Sequence, residues 1–430
     1  MSTNAKTTTA FSPFSRLVAS ETFNTTASAA LLVATPLLAV IQLNASPLEV
    51  GVLAAAGTAA PLLFGLSAGA IADRFDRARL LLGCGIARLL LAAIIPCLLL
   101  MDMISIPALC IVGFAVSAVK LLFDSVVVAV IPTIVHRDQL TKANSWYEAW
   151  NSSAASLGPA LAGWLMQVFS ITTVYVFNCV LYAASTFCLR SAVIPDRSAD
   201  APEDSSHLRD IASGITLLWR NEMQRTIAIA AGFFNLFHAA FFTVFAVFAL
   251  NELHFGAATF GSVVSLVGLI GLAGALGAPA MISRFGVRTA LVGSLLAVGP
   301  IGIPILFTEN LVPLQRIGMI AACLAAWDFL IVVHVIIEQT IRQMTVESGQ
   351  LSRITATTRF VSWGADPIGA LLGGLAASSF IGIRGTMLIC LAGFMAAGFF
   401  LLTSRSIRNL STLDVLSDRR SRTCCDAPPS

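Results

Sequence analysis

The sequence predicts an all-α polytopic membrane protein: twelve transmembrane helices in two pseudo-symmetric six-helix bundles. Three observations carry that expectation. Of 430 residues, 57% are hydrophobic and 11% charged, against roughly 25% charged in an ordinary soluble domain. Apolar stretches of about 20 residues, the length that spans a bilayer, follow one another almost end to end. Finally, the second half of the chain repeats features of the first.

Lipid cannot hydrogen-bond the backbone, so spans are helices or closed barrels, and these continuous apolar runs lack the alternation of barrel strands. The runs lie near 16–42, 49–72, 79–101, 105–132, 142–167 and 171–193, then 225–251, 257–282, 288–308, 313–342, 350–379 and 383–404. Residues 194–224 form the longest polar interruption, rich in Asp, Ser, Arg and Pro, and read as a linker between bundles 16–193 and 225–404. Polar tails 1–15 and 405–430 complete the chain, and no removable signal peptide is read at its start.

Basic residues orient the spans. With the N-terminus cytoplasmic, the inside segments hold Lys6, Arg16, Arg74, Arg77, Arg79, Arg137, Lys142, Arg190, Arg284, Arg288, Arg342 and Arg353, among others, while the opposite loops hold only Arg316 and Arg384. The positive-inside rule then places both termini in the cytoplasm.

The halves are related by a constant offset. Gln139-Leu140, Gly158 and Gly163 recur 211 residues later as Gln350-Leu351, Gly369 and Gly374, and Arg74-Phe75 recurs 210 later as Arg284-Phe285. Parallel repeats of six spans are one of the transporter architectures, with the substrate path between them.

The net charge of +3 comes without a block of Lys or Arg, which argues against nucleic acid as a partner. The nine cysteines include no CxxC pair, and neither HExxH, GxSxG nor a nucleotide-binding glycine loop occurs. No catalysis, cofactor or metal is therefore expected.

Ionisable groups inside spans cost roughly 2.5–3.5 kcal/mol or more and are functional candidates. Lys120 and Asp124 lie four apart on one face of the fourth span, as a structural ion pair or as part of the transport path. Asp328 is in the middle of the tenth span, and His334, Glu338 and Arg342 form a stripe below it that lines a water-filled path or is ordinary polar lining near the exit. Arg359 and Asp366 in the eleventh span and Glu21 in the first are further candidates, with Arg88, Glu148 and His238 completing the set. Desolvation favours a neutral carboxyl, so one facing a cavity can take up a proton on one side and release it on the other. Phe233, Phe234, Phe237, Phe241, Phe242, Phe245 and Phe248 of the seventh span line a cavity for a bulky apolar substrate or pack as core.

After the second span, Gly69-Ala-Ile-Ala-Asp73-Arg74-Phe-Asp-Arg77-Ala-Arg79 resembles the cytoplasmic loop signature of the major facilitator superfamily. The resemblance implies a gating latch in which Asp73 meets a helix end of the other half near Ser352. Asp76 stands where the signature has its second glycine, so a tighter turn or a different cap is expected there. Gly158-Pro159-Ala-Leu-Ala-Gly163 in the fifth span resembles the Gly-Pro motif of antiporter branches, with Ala154 and Ala162 where glycines are common; a generic packing motif is the other reading. The stretch from Ile341 through Arg359-Phe-Val-Ser-Trp363-Gly-Ala-Asp366-Pro367 to Gly374 looks like the branch with siderophore exporters and macrolide efflux proteins. Together these imply a secondary active transporter in the plasma (inner) membrane that works by alternating access. It would act as a proton-coupled antiporter, a monomer as many members of the family are, exporting a drug, toxic metabolite or siderophore-like small molecule. An uptake symporter or facilitator on the same fold, or a transport-fold sensor, is the alternative.

Overall fold

The computed structural model describes residues 13–65, 67, 75–135, 139–190, 207–347 and 350–410. These are almost entirely helical, and among them there is no strand. The first half comprises α1 (Pro13–Leu37), α2 (Pro47–Phe64), α3 (Arg77–Leu100), α4 (Ile106–Ile134), α5 (Leu140–Val168) and α6 (Ile171–Arg190). After a connecting helix, α7 (His207–Arg220), the second half comprises α8 (Glu222–Val247), α9 (Ala257–Phe285), α10 (Val287–Gly302), α11 (Pro313–Thr345), a broken span made of α12 (Leu351–Trp363) and α13 (Ala365–Ala377), and α14 (Gly382–Leu401). A short α15 (Arg405–Arg408) follows. Eleven helical segments are long and apolar enough to cross a membrane. The twelfth span, α5, is 29 residues long but carries Glu148, Asn151, Ser152 and Ser153 in its first half.

The predicted repeat is present in three dimensions. In the first half α1 packs on α5 and α6, α3 on α4 and α6, and α2 on α4. In the second, α8 packs on α13 and α14, α10 on α11 and α14, and α9 on α11. The scheme is the same. Even the irregularities repeat: α1 ends in a π-helical turn, Leu38–Gln42, and α8 in another, Phe248–Glu252. Each is followed by a residue in the left-handed region, Asn44 (φ 51°) and His254 (φ 55°). The same hydrogen bonds close both turns, from Ala45 N to Ala39 O and from Phe255 N to Ala249 O, each 2.9 Å. Asn and His tolerate that conformation better than branched residues do.

Two pairs of helices make most of the contact between the halves, α5 with α9 and α2 with α13, and the repeat exchanges one pair for the other. In lipid no hydrophobic force drives helices together, so close contact depends on small residues. A Cβ on Gly163 would lie 2.4 Å from Ala257 O and 3.1 Å from Gly261 Cα; one on Gly51 would lie 2.9 Å from Gly374 Cα. All of these glycines sit near the ends of their helices remote from the chain termini, here termed the distal face. The halves are therefore sealed to each other at the distal face.

The two turns that follow the second span of each half differ as the sequence implies. Asp76 Oδ1 accepts from Arg79 N at 2.6 Å and caps α3, whereas Gly286 at the repeated position has φ 79° and no side-chain cap. A carboxylate replaces a left-handed glycine. The two basic residues of the distal loops are internal struts: Arg316 donates to the carbonyls of Leu253, Thr308, Glu309 and Leu311, and Arg384 pairs with Glu252 and Glu309.

Three features go beyond the sequence expectation. The 194–224 linker contains a 14-residue helix, α7, and only Asn221 separates it from α8. The eleventh span is interrupted at Gly364, three residues before Pro367, which cannot donate to the ladder. The 405–430 tail begins with α15, whose cap residue Ser404 donates to Glu222 Oε1 at 2.7 Å.

Candidate functional site

Inside the first bundle, side chains from five spans converge. Arg88 of α3 is fully buried, although it stands in an otherwise apolar run. Its guanidinium donates to Asn24 Oδ1, to Ser28 Oγ at 2.9 Å and to the Tyr182 hydroxyl at 3.2 Å. It also lies over the Tyr182 ring at 4.6 Å. A planar fork with five donors suits such a site, where an ammonium reaches fewer partners. Asn24 in turn donates to Glu21 Oε2 at 3.3 Å.

Glu21 is 4% exposed and feels the charges of Asp124, Lys120 and Arg88 together, with the Tyr147 hydroxyl of α5 beside it. Lys120 Nζ and Asp124 Oδ2 are 2.5 Å apart, the i, i+4 pair that the sequence places on one helical face. Both are part-exposed, at 37% and 41%, so the network runs from a sealed end at Arg88 to an accessible end at Asp124. Asp124 lies near enough to Glu21 of α1 and Tyr147 of α5 for its charge to act on both. Two acids and two bases balance, as buried charges require. One oxygen, Asp124 Oδ1, is nonetheless buried with no hydrogen-bond partner among the described residues.

The second bundle is built differently. Asp328 of α11 points at α9, where a Cβ on Gly271 would meet its Oδ2 at 2.4 Å. One turn away along α9, Gly268 meets Ser156 of the first half, so Asp328 lies close to the seam. Asp366, in the first turn of α13, shares a face with Gly369, which packs on Leu236, and is part-exposed. Neither carboxylate has a hydrogen bond or ion pair with a described side chain. Arg359 is exposed and stacks on Trp363 at 5.4 Å. His334, Glu338 and Arg342 are buried; Arg342 donates to Glu338, and His334 Nδ1 lies 2.8 Å from Leu291 O and 3.3 Å from Ser294 Oγ. They pack inside the bundle instead of forming an open stripe.

The aromatic run of α8 is mostly core. Phe241, Phe245 and Phe248 are at most 1% exposed. Phe241 contacts Trp327 at 4.8 Å and Phe234 contacts Phe394 at 5.1 Å. Only Phe237, His238 and Phe242 among the inward-packed members keep part of their surface, and Phe233 is exposed.

The antiporter-like motif lies at a junction of three helices. Gly158 meets Thr26 and Ala29 of α1, while Pro159 O and Gly163 press on Gly261 and Ala257 of α9. Its repeat does the same, Gly369 against Leu236 of α8 and Gly374 against Gly51 and Pro47 of α2. Of the loop signature, Gly69, Asp73 and Arg74 lie outside the described residues, as does the side chain of Ser352. Arg77 begins α3, and Arg79 is held at its backbone by Asp76. Sequence reading singled out Arg88 as an intramembrane charge but missed Asn24 and Tyr182, which meet it only through tertiary packing, and Tyr147, which lies beside Glu21. Among the described residues no group of three or more His, Cys, Asp or Glu is placed to hold a metal ion.

Comparison with known proteins matches this architecture. The chain is similar to the multidrug efflux pump Tap of Mycolicibacterium fortuitum, 26% identical over 371 residues that make up 81% of this chain and 85% of that one. It is similar to macrolide efflux protein A of Streptococcus pyogenes, 20% identical over 341 residues, 77% and 82% of the two chains. In fold it matches a mutant form of the nucleoside transporter NupG, with a TM-score of 0.74 at 13% identity over 91% of this chain and all of that one. The family model of the Major Facilitator Superfamily matches residues 17–365. With the repeated bundles and the glycine seams between them, this match establishes that the chain belongs to the Major Facilitator Superfamily of membrane transporters.

Proposed function

We propose that the protein is a proton-coupled exporter of a small lipophilic molecule, working by alternating access as a monomer in the plasma membrane. Residues 16–193 and 225–404 are the two rocking units, and both termini are cytoplasmic, which the asymmetry of Lys and Arg favours. The distal face is then the outer one, and the arrangement described above is the inward-facing state. Export as the direction is supported by similarity to Tap and to macrolide efflux protein A.

The observation that carries the coupling is the network of Glu21, Arg88, Lys120 and Asp124, buried at Glu21 and Arg88 and part-exposed at Lys120 and Asp124, with one Asp124 oxygen lacking a hydrogen-bond partner among the described residues. Protonating Asp124 removes the charge that holds Lys120, and the neighbouring Glu21 carboxylate is the alternative partner for that ammonium. Proton uptake at one carboxylate thus reorganises α1 against α4. Asp328 and Asp366, near the seams, are the second pair of candidates for the proton or substrate path, with Arg359, His334 and Glu338 farther from the accessible network. Gly69, Asp73, Arg74, Arg77 and Arg79 are proposed as the cytoplasmic gate.

Everted membrane vesicles with an imposed acid-inside gradient test this reading with a panel of radiolabelled lipophilic drugs that includes a macrolide. The exporter accumulates at least one of them, and collapsing the gradient releases it. Glu21→Gln and Asp124→Asn each remove gradient-driven accumulation by tenfold or more at equal protein level, leaving exchange without a gradient. Accumulation that ignores the gradient, or survives both substitutions, contradicts the coupling; uptake in right-side-out vesicles contradicts the direction.

A further inference from the structure

The helix that joins the two halves has a face with no partner among the described residues. In α7, Gly214 and Leu218 point into the second bundle: a Cβ on Gly214 would lie 2.6 Å from Thr357 Oγ1 and 3.1 Å from Arg353 O, and Leu218 is 5% exposed against Ala228, Val346 and Ile354. One flank away, at about 100° per residue, Ile215 and Trp219 form an i, i+4 pair that is 40% and 54% exposed. The opposite flank carries Ser213 and the exposed Arg220. The helix thus has three strips: one docked, one apolar and uncovered, one polar.

Chain continuity says what covers the apolar strip. A single residue, Asn221, separates α7 from the membrane-spanning α8, and its side chain caps α8 by accepting from Gln224 N at 3.1 Å. Arg225, one turn into α8, donates back to Trp219 O at 2.7 Å. The end of α7, with Trp219 in its last turn, is therefore clamped where the membrane-spanning segment begins. Tryptophan, apolar with one N–H donor, is the side chain most suited to the headgroup boundary.

We propose that α7 is an interfacial helix whose Ile215–Trp219 flank is seated in the headgroup region of the bilayer, lying in the membrane surface as amphipathic helices do. The occupant of the strip is phospholipid. Through Gly214 this seating reaches α12, the inner half of the broken span whose outer half, α13, forms the seam with α2. The bilayer surface thereby braces the inner half of one gating span, whatever the transported molecule or its direction.

The test uses full-length protein reconstituted in phosphatidylcholine–phosphatidylglycerol liposomes, with the fluorescence of Trp219 taken as wild type minus Trp219→Phe. Phospholipid brominated near the headgroup end of its acyl chains is expected to quench this component strongly, and aqueous iodide to quench it several-fold less. Ile215→Asp lowers transport several-fold, whereas Arg220→Gln on the polar flank does not. Strong iodide quenching with none from brominated lipid overturns the proposal, as does Ile215→Asp protein that transports like wild type.

Discussion

Gly163→Leu is expected to reduce transport by an order of magnitude or more while leaving the protein folded and inserted. The reason is geometric: even the first added carbon would lie 2.4 Å from the Ala257 carbonyl oxygen of the other half. Overpacking costs about 1–3 kcal/mol, and here it falls only on the state in which α5 and α9 touch. A penalty of that size shifts the balance between states by roughly 5–150-fold. Labelling by an impermeant maleimide at Gln167→Cys, beside the seam, reads the shift directly. It rises in Gly163→Leu as the distal face opens. Unchanged labelling with unchanged flux contradicts the assignment of this glycine to the seal. Gly374→Leu, the repeat-related change at the α2 contact, is expected to act in the same direction.

Arg88→Met is expected to be the most damaging single substitution in the first bundle. It removes a fully buried cation with donors to Asn24, Ser28 and Tyr182, and hydrogen bonds involving charged groups contribute about 1.5–3 kcal/mol each. Breaking a buried charge balance commonly costs about 3–5 kcal/mol. Thermal unfolding in detergent should show a large fall in Tm, with transport lost. Arg88→Lys restores charge but not the fork and should recover stability only in part. Combining Arg88→Met with Glu21→Gln neutralises one acid for one base, so the double variant should be more stable than the sum of the single losses. Additive losses mean that the two groups do not belong to one network.

Much of the fold is legible in the sequence because its causes are local. Span length, the offset between Gly158/Gly163 and Gly369/Gly374, and the i, i+4 spacing of Lys120 and Asp124 each follow from short-range periodicity, and the structure places each in the corresponding relation. The cap at Asp76 is legible for the same reason, since a carboxylate before a helix has a known local partner. The network around Arg88 is not, because Asn24, Ser28, Tyr147 and Tyr182 come from spans up to 94 residues away in the chain. A polar side chain within an apolar run signals that a partner exists, not which one. The interruption at Gly364 carries a signal in Pro367, but proline within a span more often leaves the helix continuous, as Pro96, Pro159 and Pro279 do here. The helix at 207–220 hides in a segment whose overall polarity reads as linker. Its amphipathic pattern becomes decisive only once α12 is seen beside it.

In the proposed cycle the two halves rock about seams that must open and close. Gln167 Oε1 accepts from Ala258 N at 3.0 Å across one seam, so cysteines at these two positions are within reach of a short, reducible bis-methanethiosulfonate linker. Cross-linking the Gln167→Cys, Ala258→Cys double variant should stop transport, and reduction should restore it, with neither single cysteine variant affected. Full-rate transport by the cross-linked protein would contradict the account.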